Sequence, residues 1–99
     1  MSKTGILERV QEMTRQAQER EAEKLMTLDL VKEAISEAAR QGYSRAVIAP
    51  ATPLDLTKTD TARTTIAQLQ KEGFRIEWEV RLQPDTKSYQ VLVVSWQLA

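Results

Sequence analysis

The 99-residue chain contains neither cysteine nor histidine. Their absence removes a disulfide framework, thiolate nucleophiles, zinc-finger ligand sets, imidazole general bases and haem ligation by histidine or thiolate. The three glycines, Gly5, Gly42 and Gly73, lie too far apart to form a phosphate-cradling loop. No charge of one sign dominates, because 14 basic residues balance 14 acidic ones. Split at Gln41, the first part carries seven basic and eight acidic residues and the second seven and six. Neither part has the basic excess that neutralises phosphates along a duplex. No apolar run approaches the ~20 residues of a membrane span, and Met1-Ser2-Lys3-Thr4-Gly5 lacks the apolar segment of a signal peptide. A soluble protein of the cytoplasm is the expectation.

What is present starts with a pattern of period two. Phe74, Ile76, Trp78, Val80 and Leu82 alternate with Arg75, Glu77, Glu79 and Arg81, as in a strand with one face in a core and one in water. Pro84-Asp85-Thr86-Lys87 supplies turn chemistry, and Ser88 to Leu98 returns as a second strand. With Asp85-Thr86 at the tip, Leu82 faces Tyr89, Val80 faces Val91, Trp78 faces Val93 and Ile76 faces Ser95. This register sets Tyr89, Val91 and Val93 on the apolar face and turns Leu92, Val94, Trp96 and Leu98 to the face of Arg75, Glu77, Glu79 and Arg81. The last strand is then apolar on both sides, which predicts that it is central.

Upstream, Ile6, Val10, Met13 and Ala17 are spaced four, three and four, a narrow helical stripe that ends at Arg20 and Lys24. The surrounding residues are mostly Gln and Glu, and about two and a half heptads are too few to hold a coiled coil alone. The stripe fits a helix leaning on its own domain, an arm packing on another subunit, or a frayed terminus. Thr27 can cap a second helix with the stripe Leu28, Val31, Ala34, Ile35, Ala38 and Ala39, ended by Gly42 and Tyr43. Whether it continues the first helix is open. Ala46-Val47-Ile48-Ala49 reads as a short strand, and Pro50 to Leu56 as a proline-stiffened connection with Leu54 and Leu56 tucked beneath it. Thr59 or Asp60 can cap a third helix with the stripe Ala62, Ile66 and Leu69, which Thr65 can join, ended by Gly73 and Phe74.

The predicted fold is α+β, in the order helix-helix-strand-helix-strand-strand. It has a three-stranded mixed sheet, a C-terminal hairpin and the last strand central, with the third helix a right-handed crossover. Residues 1–26 form a polar helix or arm and residues 27–99 one small domain. The second helix either joins the third on one face or covers the Leu92-Val94-Trp96-Leu98 stripe.

For chemistry the chain offers little. Glu77 and Glu79 are an exposed strand pair flanked by Arg75 and Arg81, and Asp55 and Asp60 lack the further ligands of a calcium loop. No catalytic, metal or cofactor site is expected. Nucleic-acid stacking would fall to Trp96 alone, since Trp78 and Tyr89 belong to the core in the chosen register. Protein–protein contact remains. Leu92, Val94, Trp96 and Leu98, rimmed by Arg75 and Arg81, have the composition of an interface with an aromatic anchor. Ile6, Val10 and Met13 of the first helix offer a second surface.

Residues 28–98 also resemble small bacteriophage-encoded proteins of unassigned or virion-associated role. The likeness rests on four segments: Ile35 to Tyr43, Val47-Ile48, Leu69-Gln70-Lys71-Glu72-Gly73-Phe74-Arg75-Ile76, and the closing Tyr89 to Ser95-Trp96. The long first helix and the Pro50 to Pro53 connection depart from that pattern. The resemblance implies a phage origin, a place in the host cytoplasm or the particle, and no catalytic residue. The expected function is therefore a structural or assembly protein that self-associates or docks on other virion proteins. A small inhibitor or adaptor of a host protein is the alternative, and a nucleic-acid-binding module the third.

Overall fold

The computed structural model describes residues 3–52, 54–82 and 88–98. The order is α1 Lys3–Leu25, α2 Leu28–Arg40, β1 Arg45–Ile48, α3 Asp60–Lys71, β2 Arg75–Leu82 and β3 Ser88–Ser95. The fold is α+β with β3 central, in the sheet order β1-β3-β2. Both pairings are antiparallel, so the sheet is antiparallel rather than mixed. β1 and β2 run the same way, but β3 separates them and the parallel strands never meet.

Local chemistry sets the helix ends. The Thr27 and Thr59 hydroxyls accept from Leu30 N and Ala62 N at 3.4 and 3.3 Å, satisfying one free donor in each first turn. At the other ends Gly42 and Gly73 have φ of +93° and +100°, a conformation that costs a residue with a Cβ. There Tyr43 N and Phe74 N donate to Ala38 O and Leu69 O, while Gly42 N and Gly73 N donate to Ala39 O and Gln70 O. Both exits are Schellman motifs. The first two helices are separate: Thr27 is extended, and the buried Thr65 hydroxyl donates to Met26 O at 2.7 Å, holding the break in place.

All three helices lie on one side of the sheet. The core joins Ala22 and Met26 of the α1 end, Val31 and Ile35 of α2, Leu56, and Ala62 and Leu69 of α3 to Ala46, Ile48, Leu92 and Val94. Leu54, Phe74, Ile76, Trp78 and Trp96 pack on its margin.

The expected hairpin register is overturned. Trp78 faces Leu92 and Ile76 faces Val94, one residue away from the pairing read in the sequence. Leu92 and Val94 are therefore fully buried core residues, and the two tryptophans share the helix side of the sheet. Trp96 is half-buried, with its ring edge-to-face against Phe74 at 6.1 Å and 85°. Leu98, beyond the end of β3, is exposed. The docking face proposed for Leu92, Val94, Trp96 and Leu98 does not exist.

The physical reason is that β3 is apolar on both sides, so alternation alone does not choose its register. The helix layer decides. It takes Leu92, Val94 and Trp96 together with Ala46 and Ile48, which face Val94 and Leu92 across the other edge of β3. Leu82 faces Ser88, leaving residues 83–87 between the strands, and the expected Asp85-Thr86 tip lies outside the described residues.

Replacing Trp96 by Ala is expected to lower stability by about 2 kcal/mol, below the usual range for a fully buried tryptophan because the side chain is only partly buried. Thermal melts would read this as a lower Tm, with no change in oligomeric state.

Candidate interaction surfaces

Among the described residues no three metal-ligating side chains cluster, and no helix is long and apolar enough to cross a membrane. Besides Tyr43 and Leu98, exposed at the end of the sheet that carries the helix exits, the fold leaves two apolar places and a charged sheet face uncovered.

α1 is positioned by its last two turns. The Glu19 carboxylate accepts from Asp60 N at 2.8 Å, from Thr61 N at 3.1 Å and from the Thr61 hydroxyl. A negative group there satisfies free donors at the N-terminus of α3 and suits its dipole. Glu21 accepts from Ala51 N at 3.0 Å, while Ala22 and Met26 enter the core. In the sequence Glu19 and Glu21 look like any surface carboxylates, since their partners lie 30 to 42 positions away.

This anchoring determines where the apolar stripe points. At about 100° per residue, Met13 lies about 180° and Ile6 about 160° around the helix from Ala22. Ile6, Val10 and Met13 are 69, 53 and 61% exposed and Leu7 beside them 56%, as residues 5–16 are on every face of the helix. The stripe does not lean on its own domain. The first half of a helix about 34 Å long projects from the body, consistent with overall dimensions of 61 × 32 × 17 Å.

The second uncovered place is the far end of β2. This strand leaves α3 through the tight Gly73-Phe74 exit and runs back beneath it. Eight strand residues span about 27 Å against about 18 Å for a twelve-residue helix, so β2 outruns its cover. Trp78 is half-buried, while Val80 and Leu82, on the same side, are 61 and 79% exposed.

The third is the sheet face opposite the helices. It carries Arg75, Glu77, Glu79 and Arg81 of β2 beside Tyr89, Val91 and Val93 of β3 and Arg45 and Val47 of β1. Arg81 meets Glu79 at 2.9 Å, and Arg45 reaches the same carboxylate at 3.7 Å across β3. Val91 and Val93 are buried although no helix covers them. The aliphatic stems of these long side chains shield them, with the charged ends in water. Arg75 and Arg81, expected to rim an apolar interface, instead belong to this mixed-charge face.

Hydrogen bonds from the Thr61 hydroxyl, then from Asp60 N and Thr61 N, hold the Glu19 carboxyl below its ordinary pKa. The stabilisation is present above the unfolded-state pKa and is lost as pH falls through the lowered folded value. Glu19→Gln is expected to melt a few degrees below the parent at pH 7. The difference should shrink as pH is taken below about 4 in parallel melts. Comparison of the chain with protein-family models, with curated proteins and with solved structures finds no match in any of the three.

Proposed function

We propose that this protein is a non-enzymatic component that acts through protein–protein contacts, and that α1 is the arm by which it associates with further copies of itself. The observation that carries this reading is the outward stripe. Ile6, Val10 and Met13 stand on the side of α1 opposite the residues that dock it, with Leu7 exposed beside them. An amphipathic helix ordinarily turns its apolar face to its own core. Here Glu19, Ala22 and Met26 turn another face inward, and the stripe is left for a partner chain. Four large apolar side chains in water along about two turns are the composition of a contact surface. The resemblance of residues 28–98 to small phage proteins supplies the setting, a structural or assembly role in a virion.

Sedimentation velocity over a wide concentration range tests the reading. The parent is expected to gain weight-average mass with concentration. Val10→Glu combined with Met13→Glu, both at exposed positions and both replaced by a good helix former, should reduce association at least tenfold with Tm at low concentration unchanged. A parent that stays monomeric throughout, or a double variant that associates as the parent does, overturns the proposal. A concentration-independent monomer is the behaviour of the rival, a small inhibitor or adaptor of a host protein.

A further inference from the structure

We infer that the free edge of β2 pairs antiparallel with the same edge of a second copy, about a two-fold axis through Val80. The contact does not use α1 and so goes beyond the function proposed above.

Three observations carry it. β2 borders the sheet, with β3 on one side and no described element hydrogen-bonded to the other. Its outward N–H and C=O groups are a template for another strand. Of the devices that blunt such an edge, proline, lysine and a bulge are absent between Arg75 and Leu82, and the charges present, Arg75, Glu77, Glu79 and Arg81, are of both signs, so that a second copy can pair them. The distal residues Val80 and Leu82 are exposed apolar side chains beside the half-buried Trp78.

The charges then choose the register. Directly opposed residues of an antiparallel pair share a face, so apolar must meet apolar and charged must meet charged. The other face of β2 reads Arg75, Glu77, Glu79, Arg81. An axis through Trp78 would oppose arginine to arginine and glutamate to glutamate. Axes through Glu77 or Glu79 would place each of those carboxylates against its own copy. Only axes through Ile76 or Val80 avoid like-charge opposition. The Ile76 axis leaves Val80 and Leu82 in water. The Val80 axis opposes Trp78 to Leu82 twice and Glu79 to Arg81 twice, and brings the two Val80 side chains together. Each new Glu79–Arg81 pair extends the ion pair that Glu79 already makes with Arg81 and Arg45 of its own chain. The product is a continuous six-stranded sheet.

Five residues a side fall well short of the ~20–30 of a standard interface, so the pairing alone is concentration-dependent and is best trapped covalently. The absence of native cysteine makes that direct. Val80→Cys sets two thiols across the axis at a Cα separation of about 4.5–5.5 Å, within disulfide range. Under mild oxidation it is expected to form a disulfide dimer at least tenfold faster than Ser36→Cys on exposed α2, and faster than Ile76→Cys. Glu79→Cys mixed with Arg81→Cys should yield the heterodimer in preference to either homodimer. Val80→Lys, which blunts the edge at an exposed position, should lower association without lowering Tm.

Run in the Val10→Glu/Met13→Glu background, trapping at Val80 should persist at high protein concentration, which separates this contact from the α1 arm. Trapping at Val80 no faster than at Ser36 overturns the inference. Faster trapping at Ile76 overturns the register.

Discussion

Trp78 stands opposite Leu92, and that pairing decides which side of the sheet every apolar residue of β3 occupies. With it in place, Leu92 and Val94 lie under the helices, Trp96 meets Phe74 beside them, and the smaller Val91 and Val93 face the other way. Moved by one residue, the helices would cover valines and tyrosine while Leu92, Val94 and Trp96 stood in water. The difference in apolar area kept from water fixes the choice, at roughly 25 cal/mol per Å². The opposite face tolerates Val91 and Val93 because arginine and glutamate stems from both edge strands lie over them. Their charged ends join at Glu79.

The same helix layer explains the behaviour of α1. A helix rich in Gln and Glu has no apolar face broad enough to compete with α2 for the sheet. It is held instead by two carboxylates and by Ala22 and Met26. Charge-assisted bonds at the open N-terminus of α3 fix the rotation of α1, and its first half extends beyond the body with the stripe in water. Orientation here is a polar decision with an apolar consequence.

How much of this was legible in the sequence depends on how local the cause is. Thr27 as a cap, the third helix's start at Thr59 or Asp60, Gly42-Tyr43 and Gly73-Phe74 as exits, and β3 as the central strand could all be read from near neighbours or from composition. The register could not, because Tyr89 to Trp96 offers apolar residues to both sides and the deciding partners, Ala46 and Ile48, lie more than forty positions upstream. Assuming a two-residue tip at Asp85-Thr86 then tilted the choice to the wrong parity. Glu19 was invisible for a related reason: nothing beside it in the chain announces that α3 will begin against it. Ile6, Val10 and Met13 were recognised as a stripe, but whether it faced the domain or water depended on Glu19 and Ala22.

These contacts also bring the arm and the free strand edge to one end of the molecule. Glu19 meets the start of α3 and Met26 meets Thr65 farther along, so α1 enters the body beside the α3 N-terminus with its free half extending past it. β2, running back from the α3 C-terminus, brings Val80 and Leu82 to that same end. The other end carries both Schellman exits and the Phe74–Trp96 pair. Arm and strand edge are each too small to hold a partner tightly. A neighbour engaged by one would meet the other at an effective concentration set by their short separation, and two weak contacts combined in this way can exceed either by orders of magnitude. The helix layer covers the middle of the sheet, and the arm and the strand edge are left side by side beyond it.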